Sequence, residues 1–592
     1  MGISPRTTWT GLALMAAILA ISTGAGAPSM ARDLRSKPPS VVPPLGNLLV
    51  SRSLYTGTAS TVVIGQPLPG GGTAVADGTY PGVWSNEGPD GSFGVTSPMF
   101  IDRNALVGGS PVLLTTLAIP TDQLVTSFSS KSEMALHLST DGTQVSFMGY
   151  VAPANTLDVS NSNTPGHLDP TNPVALSFSR AVALIPAQTL SSAVQVTPVH
   201  AYSGNNGRSA ILDSAGNQLF MAGNAGNGGS PEPIAIVTNT GVQMVAPGGG
   251  PESTVVGTQQ GTPGAANGFQ FGFAVQLLGL TADKSGKDDN FRGITIFNNT
   301  LYVTKGSGGN GINTVYQVGT AGTLPTAATA ASTPITILPG LPEILAKSKS
   351  GVQNPFGIWF ADANTLYVAD EGVGSAGANP NAGLEKWVLE GDGKWHNVYT
   401  LQNGLNRGVQ YGVAGLDPSL NPAPDGLRSL TGRVNGDGTV TLFAVTSTIS
   451  ASVDQGADPN QLVTITDTLS FTTAADAAAE SFSVLQTAGF GEVLRGVEFV
   501  PLSASTYVAN LLQAALTEIQ GLPDSDFKNH GEHQSLTSVL GGLLADLQNG
   551  NPGNVVRRLE NVIGKAGAIS DPVAAGLILG QLNAALGVLS GE

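Results

Sequence analysis

The feature that most constrains the fold is a stretch of sequence that occurs twice. Residues 289–306 read DNFRGITIFNNTLYVTKG, and residues 354–372 read NPFGIWFADANTLYVADEG. Each copy has an apolar segment, a tight turn and a second apolar segment that ends at a charged residue, Lys305 in the first copy and Asp370 in the second. Two such segments joined by a turn rich in Asn, Asp or Gly predict a β-hairpin. The chain therefore repeats a hairpin, which must bury its faces against its neighbours.

Weaker copies of this hairpin extend through most of the chain. Two further β segments follow each copy, so that a unit has four strands. The second strands of the five clearest units begin near residues 145, 219, 301, 366 and 442. Four-stranded units at this long and irregular spacing are typical of the blades of a β-propeller, whose sheets close in a ring. The expected fold class is all-β.

The number of blades depends on two loosely patterned regions. Residues 78–119 contain two apolar segments and count as one unit. The segment 495–502 resembles an inner strand without partners, and 48–66 resembles outer strands without an inner strand. Joining these two ends would complete one blade and close the ring. This count predicts seven blades, with six or eight as the alternatives because the unit at 439–490 is, like 78–119, loosely patterned.

Composition divides the chain into four segments. Residues 1–27 have a positive charge, then an apolar stretch and then small residues, as export signal peptides do. Residues 28–46 form a Pro-rich linker, and residues 47–502 form the propeller. In residues 503–592 apolar side chains recur every three or four positions, which predicts a bundle of about four helices. We expect a secreted or periplasmic monomer without a transmembrane segment after signal cleavage.

Charge, cysteine content and missing motifs narrow the possible functions. The net charge is −16 and no basic block occurs, which argues against nucleic acid as a partner. The chain has no Cys and therefore no disulfide. It lacks the Gly-x-Ser-x-Gly nucleophile motif, a phosphate-binding loop and the His-Glu-x-x-His metal motif. The expected partner is an extracellular or envelope ligand that the sequence does not identify.

The pattern at 355–370 resembles that of a known class of propellers. There, Pro-x-Gly-Ile is followed by Leu-Tyr-Val-Ala-Asp, which is similar to the repeat of NHL-type and lactonase-like propellers. Runs such as SSKSEMALHLSTDG and KDDNFRGITIFNNTLYVTKGSGGNG resemble segments of an uncharacterised family of secreted bacterial propellers. This resemblance implies the fold and export but no particular reaction.

Polar residues concentrate at one end of the predicted strands. Consecutive strands of a blade are antiparallel, so the first strand begins on the face of the disc at which the second one ends. Residues at these two places should form a rim around the central channel. The predicted rim consists of Lys131, Glu133, Arg208, Asn224, Arg292, Lys305, Asn354, Asp370, Glu371, Arg428, Glu492 and Arg495. Convergent polar groups at a cavity predict a ligand site; the alternative is that these charges pair across neighbouring blades.

Two smaller clusters are candidate metal sites. Asp283, Asp288 and Asp289 supply the oxygen ligands that calcium prefers, so calcium is the one cofactor to consider, with an Asx-rich turn as the alternative. His530 and His533 have a spacing that suits a metal on a helix, but they lie in a polar stretch with Gly531. We expect this second pair to lie in a loop between helices.

Two functions remain open. The first is an exported binding or scaffold protein that presents its rim to a glycan, a peptide or a protein. The second, implied by the resemblance to lactonase-like propellers, is a hydrolase of ester or lactone bonds with a metal ion in the channel. The predicted rim has at least as many Arg and Lys residues as acidic ones, which favours binding.

Overall fold

The structure is a computed structural model that describes most of the chain. The described residues are 44–57, 62–189, 193–226, 236, 238–257, 289–348, 351–374, 380–450, 455–549 and 555–590. The predicted signal peptide at 1–27 lies outside them, as do residues 28–43 of the predicted linker.

Six four-stranded antiparallel sheets form the blades of a propeller. In chain order the strands are β1 (Gly46–Leu54), β2 (Thr96–Ser97), β3 (Met99–Val107), β4 (Ser110–Ala118), β5 (Thr126–Ser127), β6 (His137–Leu138), β7 (Gln144–Tyr150), β8 (Arg180–Pro186), β9 (Gln195–Val199), β10 (Gly207–Asp213), β11 (Gln218–Gly223), β12 (Gly241–Val245), β13 (Thr254–Val256), β14 (Ile294–Phe297), β15 (Thr300–Lys305), β16 (Thr314–Val318), β17 (Ile335–Ile337), β18 (Pro355–Asp362), β19 (Thr365–Asp370), β20 (Gly383–Leu389), β21 (Trp395–Leu401), β22 (Ala423–Val434), β23 (Thr439–Ile449), β24 (Gln461–Thr468), β25 (Ser483–Thr487) and β26 (Glu492–Pro501). From the channel outward, blade A is β26-β1-β3-β4, blade B is β6-β7-β8-β9, blade C is β10-β11-β12-β13, blade D is β14-β15-β16-β17, blade E is β18-β19-β20-β21 and blade F is β22-β23-β24-β25. The inner strands contact one another in this order and back to blade A, which closes the ring.

The prediction of seven blades is wrong, and six was among the alternatives. The two loosely patterned regions belong to one blade: β26 pairs with β1, and β1 pairs with β3. The predicted closure by strands from both ends is therefore confirmed. Residues 62–66 form turns instead of an outer strand. The sequence pattern does not distinguish this long insertion from a blade, because the apolar side chains of Trp84 and Phe93 fill a separate core beneath the insertion and not the face of a blade.

Neighbouring blades approach most closely where their inner strands enter the channel. Gly293, Gly357 and Gly496 each face a backbone carbonyl of the next blade. A Cβ atom on Gly357 would lie 2.6 Å from the carbonyl oxygen of Arg428. At the same position in blade C, the hydroxyl of Ser209 donates a hydrogen bond to the carbonyl of the next blade. The packing therefore requires a residue with little or no side chain at this point.

The two faces of the disc differ in the length of their connections. On the lower face, the first and second strands of a blade are joined by tight hairpins such as 298–299 and 363–364. On the upper face, where the inner strands begin, the second and third strands are joined by longer segments such as 55–98 and 151–179. Long connections held on a rigid scaffold commonly carry function, which directs attention to the upper face.

Two buried carboxyl groups join these long upper connections. Asp90 and Asp158 are 1% and 0% exposed, and both accept the amide proton of Gly70, at 2.9 and 3.1 Å. Asp158 also accepts the amide proton of Gly94, at 3.0 Å. Burial, and then the charge of Asp90, raise the pKa of Asp158 to about 8. The pair therefore holds a proton at neutral pH.

The C-terminal region is a four-helix bundle, as predicted. Its helices are α1 (Ala504–Gly521), α2 (His530–Gln548), α3 (Val555–Ala566) and α4 (Pro572–Ser590). Their apolar faces form a common core, and the hydroxyl of Tyr507 donates to the carbonyl of Leu106 at 3.0 Å, so that the bundle packs against the lower end of blade A. Among the described helices, α4 is long and apolar enough to cross a membrane by length and composition, although a third of that window is buried in the protein.

The prediction that His530 and His533 lie in an inter-helix loop is wrong. They form the first turn of α2, because Asn529 caps this helix by accepting the amide proton of Glu532 at 2.9 Å. Both rings contact the carboxylate of Asp524, at 2.6 and 2.7 Å.

Gly357→Ala should destabilise the propeller, because the added Cβ would overlap the carbonyl of Arg428. Overpacking of this kind costs about 1–3 kcal/mol in the free energy of unfolding, which urea denaturation can measure. Gly391→Ala is the matched control, since nothing lies within 4 Å of its added Cβ, and it should change stability by less than about 0.5 kcal/mol. Equal losses in the two variants would contradict the close approach of the blades.

The Asp90–Asp158 pair should make stability fall as the pH rises. An unfolded Asp158 ionises near its ordinary pKa of 3.8, whereas the folded one keeps its proton up to about pH 8. The stabilisation is thus complete below pH 3.8 and is lost as the pH passes through about 8. Asp158→Asn cannot ionise, so its melting temperature should improve relative to the parent protein between pH 5 and pH 9. If the melting temperatures of Asp158→Asn and the parent protein change in parallel across this pH range, the claim that the pair holds a proton at neutral pH is refuted.

Candidate functional site

A β-bulge recurs at the upper end of the inner strands. In blade C, Gly207 pairs with Gly223 and Ser209 pairs with Ala222, so that Arg208 has no partner residue in the ladder. The ladders of blades A, E and F shift in the same way, and in blade D Thr304 bonds the backbone of two consecutive residues. The residues at these bulges are Arg495 in blade A, Arg208 in blade C, Arg292 in blade D, Phe356 in blade E and Arg428 in blade F. A bulge redirects a side chain, and here it directs four arginines toward the channel.

Two of these arginines meet at one serine. Nη1 of Arg208 and Nη1 of Arg292 donate to Oγ of Ser132, at 2.8 and 2.9 Å. Ser132 precedes the inner strand of blade B, whereas Arg292 belongs to blade D, and blade C lies between them. The contact therefore crosses the channel. The two arginines are 7% exposed and the serine is 1% exposed.

Arg428 and Glu371 form the opposite side of this site. Nε of Arg428 donates to Oε2 of Glu371 at 3.0 Å. Burial acts to raise the pKa of Glu371, but the charges of Arg292, Arg428 and Lys131 prevail and lower it. Glu371 is thus an ionised carboxylate that faces cations from blades B, D and F. We call Lys131, Ser132, Arg208, Arg292, Glu371 and Arg428 the channel mouth.

The other two glutamates of the predicted rim have partners outside the channel mouth. Glu133 is 1% exposed and accepts hydrogen bonds from the hydroxyl of Thr126 at 2.8 Å and from Nδ2 of Asn206 at 2.6 Å, as well as from the hydroxyl of Tyr150. Glu492 accepts from Nη1 of Arg52 at 2.8 Å. These carboxylates therefore do not contact the three arginines of the channel mouth.

The channel mouth consequently has more positive than negative charge. Among the described residues, Lys131, Arg208, Arg292 and Arg428 lie near the carboxylate of Glu371, and the charge of Glu133 also acts on Arg208. Burial, and then the charge of Arg292, lower the pKa of Arg208 to about 9, which still leaves it protonated at neutral pH. The charges of Glu133 and Glu371 act in the opposite direction but do not restore the ordinary value.

Lys305 and Asp370 end equivalent strands but have different, local partners. Lys305 is fully buried, and its Nζ donates to Oδ1 of Asn313 at 2.8 Å and to the carbonyl of Ser307 at 3.1 Å. Asp370 is fully buried and accepts the amide protons of Asn354 at 2.7 Å and Gly372 at 2.8 Å. Burial raises the pKa of Asp370 to about 6. Both residues hold the ends of their own strands in place beneath the rim.

The three remaining residues of the predicted rim lie beside the channel mouth. Nε of Arg495 donates to Oγ of Ser53 at 3.2 Å, and its Nη1 donates to the carbonyl of Ser130. The backbone N–H of Asn224 donates to the backbone carbonyl of Asn206 at 3.0 Å. Nδ2 of Asn354 is buried and has no acceptor among the described residues.

Sequence reasoning missed Ser132 as a member of the site. A single serine carries no charge pattern, and only the three-dimensional arrangement shows that it accepts hydrogen bonds from two blades. A usable signal was the recurrence of Arg followed by Gly or Ser at 208–209, 292–293, 428–429 and 495–496, which marks the bulge and the small residue after it.

The predicted calcium cluster is described only in part. Asp283 and Asp288 lie outside the described residues, whereas Asp289 is fully buried and its Oδ1 accepts the hydroxyl proton of Thr240 at 3.4 Å. Within the described part of the chain, no group of three or more His, Asp or Glu side chains is arranged so that it could hold a metal ion. The calcium cluster stays a prediction.

Comparison with family models and with curated proteins gives no relative from which a function could be transferred. No protein-family model matches the sequence, and no curated protein is significantly similar to it. The resemblance to NHL-type and lactonase-like propellers stays a prediction, and function must be argued from the channel mouth.

Proposed function

We propose that this protein is an exported binding protein that takes a polar extracellular ligand into the channel mouth. The observation that carries the proposal is the contact of Arg208 and Arg292 with Ser132 across the channel. Pairing between neighbouring blades explains charged groups at blade interfaces, but it does not explain polar groups from separated blades that meet at the axis.

Donor groups of Arg208 and Arg428 that have no acceptor among the described residues support a ligand as the missing partner. Nε of Arg208 is buried and has no acceptor among the described residues. Arg428 uses its Nε for Glu371, and neither of its Nη groups donates to another described residue. Buried polar groups normally have partners, and leaving one unpaired costs about 1–3 kcal/mol. A bound ligand would supply these acceptors.

The position of the channel mouth also suits ligand binding. The channel mouth lies at the upper ends of the inner strands, on the face that carries the long connections 55–98 and 151–179. The helical bundle packs at the lower end of blade A, and it leaves this face to the ligand. A rigid ring with variable loops around a polar centre is a common design for recognition sites.

A metal-dependent hydrolase is the second candidate, and only the resemblance to lactonase-like propellers favours it. A metal ion in such a channel needs several oxygen ligands. The described residues at the channel mouth do not fit this need, because three guanidinium groups lie there beside one carboxylate, that of Glu371. We therefore derive no catalytic step.

A ligand screen with a matched pair of variants tests the proposal. The mature protein should show a saturable rise in melting temperature with at least one member of a panel of neutral oligosaccharides, uronic acids, short peptides, sugar phosphates and acyl lactones. Arg428→Gln should reduce that rise. Arg433→Gln is the control, because it removes the same charge from the lower end of the same strand, where Arg433 donates to the carbonyl of Pro44 at 3.0 Å.

Two results would reject binding at the channel mouth. One is a panel without any saturable shift, and the other is a shift that Arg428→Gln and Arg433→Gln reduce equally. Metal-dependent hydrolysis of a lactone, lost in Arg428→Gln, would instead favour the second candidate.

A further inference from the structure

We infer that the group recognised at the channel mouth is an oxyanion, either a carboxylate or a phosphate or sulfate ester, bound between Arg208, Arg292 and Arg428 beside Ser132. This inference rests on the proposed function and specifies the chemistry of its ligand. It follows from the charge balance, from unused hydrogen-bond donors and from the orientation of one hydroxyl group.

The charge balance is the first argument. Among the described residues, three buried guanidinium groups, those of Arg208, Arg292 and Arg428, lie near two carboxylates, those of Glu371 and Glu133. Each of the three arginines is less than 8% exposed, so water screens their repulsion poorly. Buried charges are normally paired, because an unpaired one is costly. The surplus therefore calls for additional negative charge at this place.

The unused donors define the shape of that charge. A guanidinium has five N–H groups in one plane and binds the two oxygens of a carboxylate or phosphate in parallel. Arg428 commits only Nε, to Glu371. Arg208 commits Nη1 to Ser132 at 2.8 Å and makes a long contact of 3.4 Å from Nη2 to Asn205, while its Nε has no acceptor among the described residues. Several donors from two sides of the channel are thus available to one oxyanion.

The hydroxyl of Ser132 completes the site. A serine oxygen has two lone pairs and one proton. Arg208 and Arg292 occupy both lone pairs, so the proton must point to a further acceptor. Among the described residues Ser132 donates to none, whereas an oxyanion held by the two arginines would lie next to it. A neutral ligand would satisfy this hydroxyl but would leave the positive charges uncompensated.

Lys131 indicates how the rest of the ligand is placed. Its Nζ donates to Oε1 of Gln455 at 2.9 Å and lies near Glu371. Gln455 follows β23, in a connection of the upper face. The oxyanion is therefore a terminal group that enters the channel mouth, and the remainder of the ligand extends toward the connections above it.

Isothermal titration with matched sugars tests the inference. The probes are glucose, galacturonate, glucose 6-phosphate and glucose 6-sulfate, each at the same ionic strength set with sodium chloride. We expect saturable binding of at least one anionic sugar and none of glucose. Galacturonate alone would identify a carboxylate as the ligand group, whereas the two esters alone would identify a phosphate or sulfate group.

Three variants locate the binding. Arg292→Gln should raise the Kd for the anionic sugar at least about 30-fold, because it removes one partner of a buried charged hydrogen bond. Arg292→Lys should recover only part of the loss, since lysine keeps the charge but not the fork of donors. Arg433→Gln, at the lower face, should leave the Kd unchanged. Circular dichroism and melting temperature verify that each variant is folded.

The outcomes separate this inference from the proposed function. The protein could bind glucose or another neutral sugar in a way that depends on Arg428, and bind no anion. This result overturns the inference of an oxyanion but keeps a ligand at the channel mouth. Anion binding that Arg292→Gln and Arg433→Gln weaken equally overturns the location. Absence of binding by all four sugars to the parent protein overturns the oxyanion, whether or not the variants fold.

Discussion

The close approach of the inner strands is the constraint on which the rest of the structure depends. Each blade must bury its faces against the next, and at the neck of the channel this brings backbone against backbone, as where Gly357 faces the carbonyl of Arg428. On the side of the inner strand that faces the next blade, a residue with little or no side chain is therefore required. The residue before it lies at the β-bulge, which redirects its side chain, so that Arg208 reaches Ser132 and Arg428 reaches Glu371. One packing requirement thus closes the ring and also directs positive charge toward the channel.

The same geometry explains why a protein with a net charge of −16 has a positive centre. The four cations of the channel mouth come from four blades, and only ring closure brings them together. Glu492 pairs with Arg52 instead, whereas Glu133 is held by Asn206 and offsets part of the charge of Arg208. The long upper connections and the buried pair of Asp90 and Asp158 surround this centre from above. Positive charge inside an acidic protein favours an anionic ligand at this one place over general attraction of anions to the surface.

Much of this architecture was predictable from periodicity. The repeated hairpins indicated a propeller, the pattern at 495–502 indicated closure by both ends, and a period of three to four residues indicated the helices. The number of blades was not predictable, because Trp84 and Phe93 give an insertion the apolar content of a blade.

The residues of the rim were predicted as a set, but which groups each of them contacts was not. Lys305 and Asp370 occupy one repeat position, yet Lys305 contacts Asn313 whereas Asp370 accepts backbone amide protons. Such partners depend on strand register and bulges, which a single sequence does not encode in any simple pattern.

The central claim is that the channel mouth holds an oxyanion between arginines from separate blades. Its most direct measurement is a crystal structure of the mature protein grown with selenate, whose anomalous scattering marks the anion. The account predicts an anomalous peak within about 4 Å of guanidinium nitrogens of Arg208 and Arg292, beside Ser132, because the oxygens of the anion, and not its selenium, accept the hydrogen bonds. It would be contradicted by a channel mouth without such a peak, in which these arginines are paired with carboxylates of the protein itself.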